Sequence, residues 1–211
     1  VIISPIEKRM KIETKSGEDL SLNLRSIGFG PGILTVIILL AVLMGCSSTQ
    51  EGGMIDTSVV DEFDIERYAG VWYEIARFPH SFEKDLVGVT ATYTLRDDGK
   101  IGVLNQGYRN TFDGKLKKTR ATGLIPDPNQ PARLKVYFFP FFGAEYNVMA
   151  LGEDYRYALV GSSTPNFLWI LSRSPKLDAE LYGMLVEEAR RRGYDVGRLQ
   201  QVPQKLQGME Q

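Results

Sequence analysis

Eight short segments of alternating polar and apolar residues, separated by turn residues, fill the roughly one hundred positions between Trp72 and Arg173, with no helical period of useful length among them. They fall at approximately 71–77, 88–96, 100–108, 117–125, 132–139, 145–151, 156–161 and 167–173. Asp97-Asp98-Gly99, Pro126-Asp127-Pro128-Asn129 and Gly152-Glu153-Asp154 supply three of the tight connections. This pattern restricts the domain to the all-β class. Eight antiparallel strands is also the count that closes into an up-and-down barrel just wide enough for one small ligand. A chain of 211 residues accommodates one such domain and is short for two.

Period two decides which side chains face inward. One face carries Val89, Ala91, Tyr93 and Leu95 on the second strand, Leu134, Val136 and Phe138 on the fifth, and Phe167, Trp169 and Leu171 on the eighth. Ala76, Val103 and Asn105 join this interior set. The opposite face carries Thr90, Thr92 and Thr94, then Arg133, Lys135 and Tyr137, which suit solvent. Alternation alone does not separate a lined cavity from a packed core, so both stand open at this point. Glu74 and Asn147 also fall inward by alternation, and with Asn105 they need partners or water there.

After the last strand, Asp178 is placed to cap a helix whose first turn holds Ala179 and Glu180 and which ends near Gly193. Leu181, Met184, Leu185 and Ala189 form one stripe, suited to packing on the outside of the barrel, with a membrane-lying or partner-binding role as the alternative.

The first part of the chain reads as an address. Lys8, Arg9, Lys11, Lys15 and Arg25 precede a Gly/Pro break, and Ile33 to Met44 is almost wholly aliphatic. About twelve residues fall short of the ~20 that span a bilayer and match a signal-peptide core. Acidic and basic residues number 26 and 25, so no broad field points to nucleic acid. Cys46 is the only cysteine and His80 the only histidine. The first excludes an internal disulfide. The second leaves a zinc or Ser-His-Asp site without obvious company. No metal, cofactor or catalytic residue is expected. His80 with Glu83 or Asp85 is the one cluster suggesting catalysis, and a solvated loop histidine is the expectation for it.

Two longer motifs carry a family resemblance. Leu43-Met44-Gly45-Cys46, followed by Ser47, Ser48 and Thr49, resembles the lipobox of bacterial lipoproteins, with Met44 where a smaller residue is usual. The resemblance implies acylation of Cys46 and removal of residues 1–45. Residues 46–62 then form an acylated, flexible tether reaching roughly 20 Å. Several acyl chains make a stable anchor where one does not. Ser47 resembles the sorting pattern for the cell outer membrane, with the domain facing the periplasm.

Tyr68-Ala69-Gly70-Val71-Trp72-Tyr73-Glu74-Ile75-Ala76-Arg77 resembles the first signature of the lipocalins, and Leu168-Trp169-Ile170-Leu171-Ser172-Arg173 the last. Glu153-Asp154-Tyr155 stands at the middle signature and keeps its Asp and Tyr but not its Thr. The resemblance runs from about Phe63 to Val202, closest to the bacterial and apolipoprotein D-like branch. A barrel plus outer helix over 63–203, with a loose tail over 204–211, follows from it. Gly70, Trp72, Asp154, Tyr155 and Arg173 are implied to close one end, with the arginine stacked on the indole for about 1 kcal/mol. The implied function is membrane-anchored storage or transport of fatty acids, lysophospholipids or similar amphiphiles, and a homodimer is compatible with it. A lipid-modifying enzyme on the same barrel, or a structural lipoprotein without ligand, are the alternatives.

With Trp72 at the closed end, loops 78–87, 109–116, 139–144 and 162–166 form the rim of the mouth. Phe78, Phe82, Phe141 and Phe142 are then expected to meet an incoming acyl chain, or else to fold over one another as a lid. Lys84, Arg109 and Lys115 are placed to meet a phosphate or carboxylate headgroup.

Overall fold

The computed structural model describes residues 54–139 and 141–205. Cys46, the aliphatic run before it, most of the tether and residues 206–211 lie outside the described residues. A one-turn helix α1 (Ile65–Tyr68) leads into β1 (Gly70–Arg77), β2 (Leu86–Leu95), β3 (Ile101–Arg109), β4 (Leu116–Leu124), β5 (Arg133–Phe139), β6 (Phe142–Leu151), β7 (Tyr157–Gly161) and β8 (Leu168–Ser172). Helix α2 (Ala179–Arg191) and a two-residue β9 (Gln200–Gln201) follow. Each strand pairs antiparallel with the next, and β1 pairs with both β8 and β2, so the sheet closes into a barrel. The expected strands lie where they were placed to within about two residues, except that β6 begins three residues earlier. Strand β9, which pairs with Ala76 and Arg77, had no sequence signal.

Apolar residues fall into two cores, one on each side of the barrel wall. The inner one holds Trp72, Tyr93, Val103, Leu134, Val136 and Val148, among others. The outer one holds Ala76, Phe78, Met149, Leu159, Leu168 and Ile170 against Leu185 and Ala189 of α2. The helix starts where Asp178 accepts hydrogen bonds from the backbone N–H groups of Glu180 and Leu181. It ends at Gly193, whose φ of +86° suits glycine. Its buried stripe is Leu185 and Ala189; Met184, expected in that stripe, is half exposed.

A β-bulge on β1 and the register of β6 against β5 correct the inward list. The register of β1 against β8 shifts between Glu74 and Ala76. The extra residue, Ile75, inverts every side chain after it. Ala76 and Phe78 therefore point outward into the helix-covered core, and Arg77 points inward. Phe78 packs against Tyr194 with Arg198 over its ring, far from its expected place at the mouth. On β6, Tyr146 pairs with the inward Leu134, so regular alternation places Tyr146 and Val148 inside and Asn147 outside, ahead of a further register shift between Val148 and Ala150. Asn147 is buried but outside the cavity, paired across the ladder with Arg133.

One seam in the wall is short. Strand β3 pairs with β4 from Ile101 to Tyr108, whereas β4 pairs with β5 only through Thr122, Gly123 and Leu124.

Candidate functional site

The closed end is built around Trp72, which is fully buried and donates its indole N–H to the Tyr68 carbonyl at 2.8 Å. The Arg173 guanidinium stacks on the indole at 4.0 Å. Its N–H groups reach the carbonyls of Val71 (2.9 Å), Arg67 (2.8 Å), Tyr68 (3.0 Å) and Tyr155 (3.3 Å). One side chain thus satisfies the orphan carbonyls where α1 turns into β1. Gly70 makes the approach feasible: its φ is +97°, and a Cβ there would stand 3.2 Å from Arg173 Nη1. Tyr155, at φ +60°, accepts the Asp64 N–H on its hydroxyl at 2.8 Å, and Arg67 covers its ring. Asp154 accepts the Arg156 N–H and shapes the turn without the missing threonine. The five expected closing residues come together at one end.

Above the indole, three phenols form a floor. Tyr68 and Tyr146 are joined at 2.6 Å, and Tyr93 donates to Tyr146 at 2.8 Å. Burial raises all three phenol pKa values, so they stay neutral hydrogen-bonding groups.

Over this floor opens a cavity of about 210 Å³. Of the expected interior residues, Val89, Ala91, Tyr93, Val103, Asn105, Val136, Phe138 and Trp169 line it. Leu134 belongs to the inner core but not to the lining, and Ala76 is on the other side of the wall. Tyr146, Glu83, Ser162 and Phe167 also line the cavity; only Phe167 was legible, as part of the inward face of β8. The Asn105 side-chain Oδ1 is buried without a partner.

A charged cluster forms one wall. Arg77, turned inward by the bulge, donates to Glu74 Oε1 at 2.6 Å and to the Glu83 carbonyl at 2.7 Å. Its Nε lies 3.9 Å from the Glu83 carboxylate. His80 Nε2 is 3.1 Å from that same carboxylate, and its ring stacks on Phe82 at 3.9 Å. The histidine is therefore not the solvated loop residue expected from sequence: a 3-10 turn at Ser81–Glu83 folds it under Phe82. Burial, with Arg77 nearby, pulls its pKa down to about 4. Burial and then the Glu83 charge push Glu74 well above the usual carboxylate range. Burial raises Glu83 as well, against the pull of Arg77. The imidazole is therefore neutral at neutral pH, and burial favours the protonated form of both carboxyls.

The cavity opens upward into a cleft of about 840 Å³, sharing Phe82, Glu83, Val89, Asn105 and Phe138 with it. Lys84, Arg109, Lys117 and Lys118 line this cleft; Lys115, also expected, does not. Phe142 lines its edge, whereas Phe141 stands free at the hairpin tip. The phenylalanines do not close over one another as a lid.

Residues 63–204 match the model of the lipocalin-like domain family. The chain is 43% identical over 169 residues to the outer membrane lipoprotein Blc of Citrobacter freundii, covering 79% of this chain and 93% of that one. Temperature-induced lipocalin-1 of Arabidopsis thaliana is 40% identical over 158 residues, covering 71% and 83%. Apolipoprotein D of Mus musculus is 34% identical over 182 residues, covering 79% and 94%. Among solved structures, insecticyanin from the tobacco hornworm Manduca sexta shares the fold, with a TM-score of 0.58 at 21% identity over 71% of this chain and 85% of that one.

Proposed function

The chain belongs to the lipocalin-like family, and from that membership we propose that it is a lipid carrier of the bacterial outer membrane, taking fatty acids, lysophospholipids or similar amphiphiles into its barrel. The observation that supports this reading is the continuity between a largely apolar cavity, closed at its base, and a cationic cleft above it. The cavity alone is smaller than the ~300–1,000 Å³ of most small-molecule sites, and the cleft more than makes up the difference. An amphiphile therefore straddles the two, its chain among Val89, Val136 and Trp169 and its anionic head near Lys84, Arg109 and Lys117. The Glu74–Glu83 wall disfavours a carboxylate in the interior and orients the head outward.

Anchoring through Cys46 is supported by the lipobox-like segment and by the relatives named outer membrane lipoproteins. Residues 1–45 act as the targeting segment in this reading, and the domain faces the periplasm. Carriage fits the site better than catalysis. His80 is packed behind Phe82 and is absent from the cavity lining, and Glu83 is engaged by Arg77.

Two measurements test the proposal. Lysophospholipid incubated with the protein is expected to be recovered intact and bound by mass spectrometry; hydrolysed product would point to an enzyme, and no retained lipid to a filled barrel. The substitution Ala91→Phe occupies the cavity, so fluorescent fatty-acid titration should show an affinity loss of about tenfold or more, with the melting temperature preserved. Unchanged affinity would place the ligand elsewhere.

A further inference from the structure

The hairpin joining β5 to β6 presents three phenylalanines to solvent: Phe139 is 70% exposed, Phe141 90% and Phe142 79%. Exposed rings concentrated at one hairpin tip are a feature that soluble surfaces avoid unless they are used. Other residues at this end of the barrel leave the rings free, because Phe82 is stacked on His80 and Phe78 is under α2. Beside the rings, Phe139 and Phe142 share one cleft with Lys84, Arg109, Lys117 and Lys118. Lys115 adds a further cation on the adjoining loop, and Asp85 and Asp113 offset only part of this charge. Projecting aromatic rings within a basic surround match the two layers of an anionic membrane: hydrocarbon for the rings, phosphates for the cations.

We infer that the mouth of the barrel is a docking surface for an anionic lipid bilayer, with the Phe139–Phe142 hairpin as its inserted tip. The cleft behind the hairpin runs into the ligand cavity, so docking opens the cavity directly onto lipid. The short β4–β5 seam adjoins the same hairpin: beyond Tyr137, β5 has no ladder partner on the β4 side, and Phe138 stands in both cavity and cleft. The inference goes beyond a lipid anchor, which would hold the domain near a membrane in any orientation, and it does not depend on what the cavity carries.

The test uses the full acylated chain reconstituted in vesicles, so that every variant is membrane-bound and only the position of the hairpin is read. Vesicles contain equal parts phosphatidylglycerol and phosphatidylcholine with brominated acyl chains, which quench indoles that enter the hydrocarbon. The indole introduced by Phe141→Trp is expected to be blue-shifted and quenched roughly twofold more than the parent's Trp72 and Trp169, and less so in pure phosphatidylcholine. No added quenching would overturn the proposal, as would equal quenching in the two compositions. A blue-shifted but unquenched indole would also overturn it, since a second copy of the chain would then cover the hairpin. Trp169 lines the cavity, so quenching in the parent chain reports lipid entering the barrel. Failure of the carrier reading and failure of docking therefore give different results.

Discussion

Arg77 and Arg173 both donate to backbone carbonyls, yet they fail differently when replaced. Arg173 binds four carbonyls in a planar fork over Trp72, a geometry that an ammonium does not reproduce. The substitution Arg173→Lys is expected to cost about 2 kcal/mol in urea unfolding, from lost hydrogen bonds and lost stacking. The cluster around Arg77 makes stability depend on pH. His80 holds its pKa near 4, so below its ordinary value of 6.5 the unfolded chain takes up a proton that the fold refuses. Stability is therefore lost as pH falls through that interval. Glu74 has the opposite sign: the fold retains a proton that the unfolded chain releases above the ordinary value of 4.5, so stability declines as pH rises. The substitution Glu74→Gln keeps the acceptor for Arg77 and removes the titration. Its melting temperature should exceed the parent's at about pH 8 and match it near pH 4, as calorimetry across pH would show. The sequence singled out His80 with Glu83 but not Arg77, whose inward turn depends on the bulged Ile75 two residues before it.

At the scale of elements, strands, turns and helix were legible, since alternation and capping residues act locally. Which side a residue faces was legible along each regular run but not past the bulge in β1. A single inserted residue is specified by the partner strand, and Ala76 and Phe78 were misplaced for that reason, whereas Asn147 was misplaced because the register of β6 is set by its pairing with β5. The distinction is measurable. Phe78 is fully buried under α2, so Phe78→Ala should cost about 3–4 kcal/mol of stability and leave fatty-acid affinity unchanged. A residue of the mouth would do the reverse. The cap of α2 contributes more modestly: Asp178→Ala removes hydrogen bonds to two backbone N–H groups and should lower stability by about 1 kcal/mol in denaturant titration.

At the largest scale, the described barrel domain is polarised along its axis. One end is fixed by carbonyl-bound arginine, stacked indole and a neutral phenol layer, and the other ends in loops that carry cations and free rings. The signature motifs made the fixed end readable, because each of its parts lies in a contiguous run of residues. The cavity lining was readable most fully on the eighth segment, where Phe167, Trp169 and Leu171 all line the cavity, and less so on β2 and β5, where Leu95 is exposed and Leu134 lies in the inner core below it. The three-rung contact between β4 and β5 bears on timing. Every second amide of Leu116–Ala121 faces that gap with no backbone acceptor across it, so deuterium should replace those protons well before the amides of β7 and β8. A wall that parts along one line lets an acyl tail slip out sideways. The residence time of the cargo would then follow the breathing of this edge more closely than the grip of the lining.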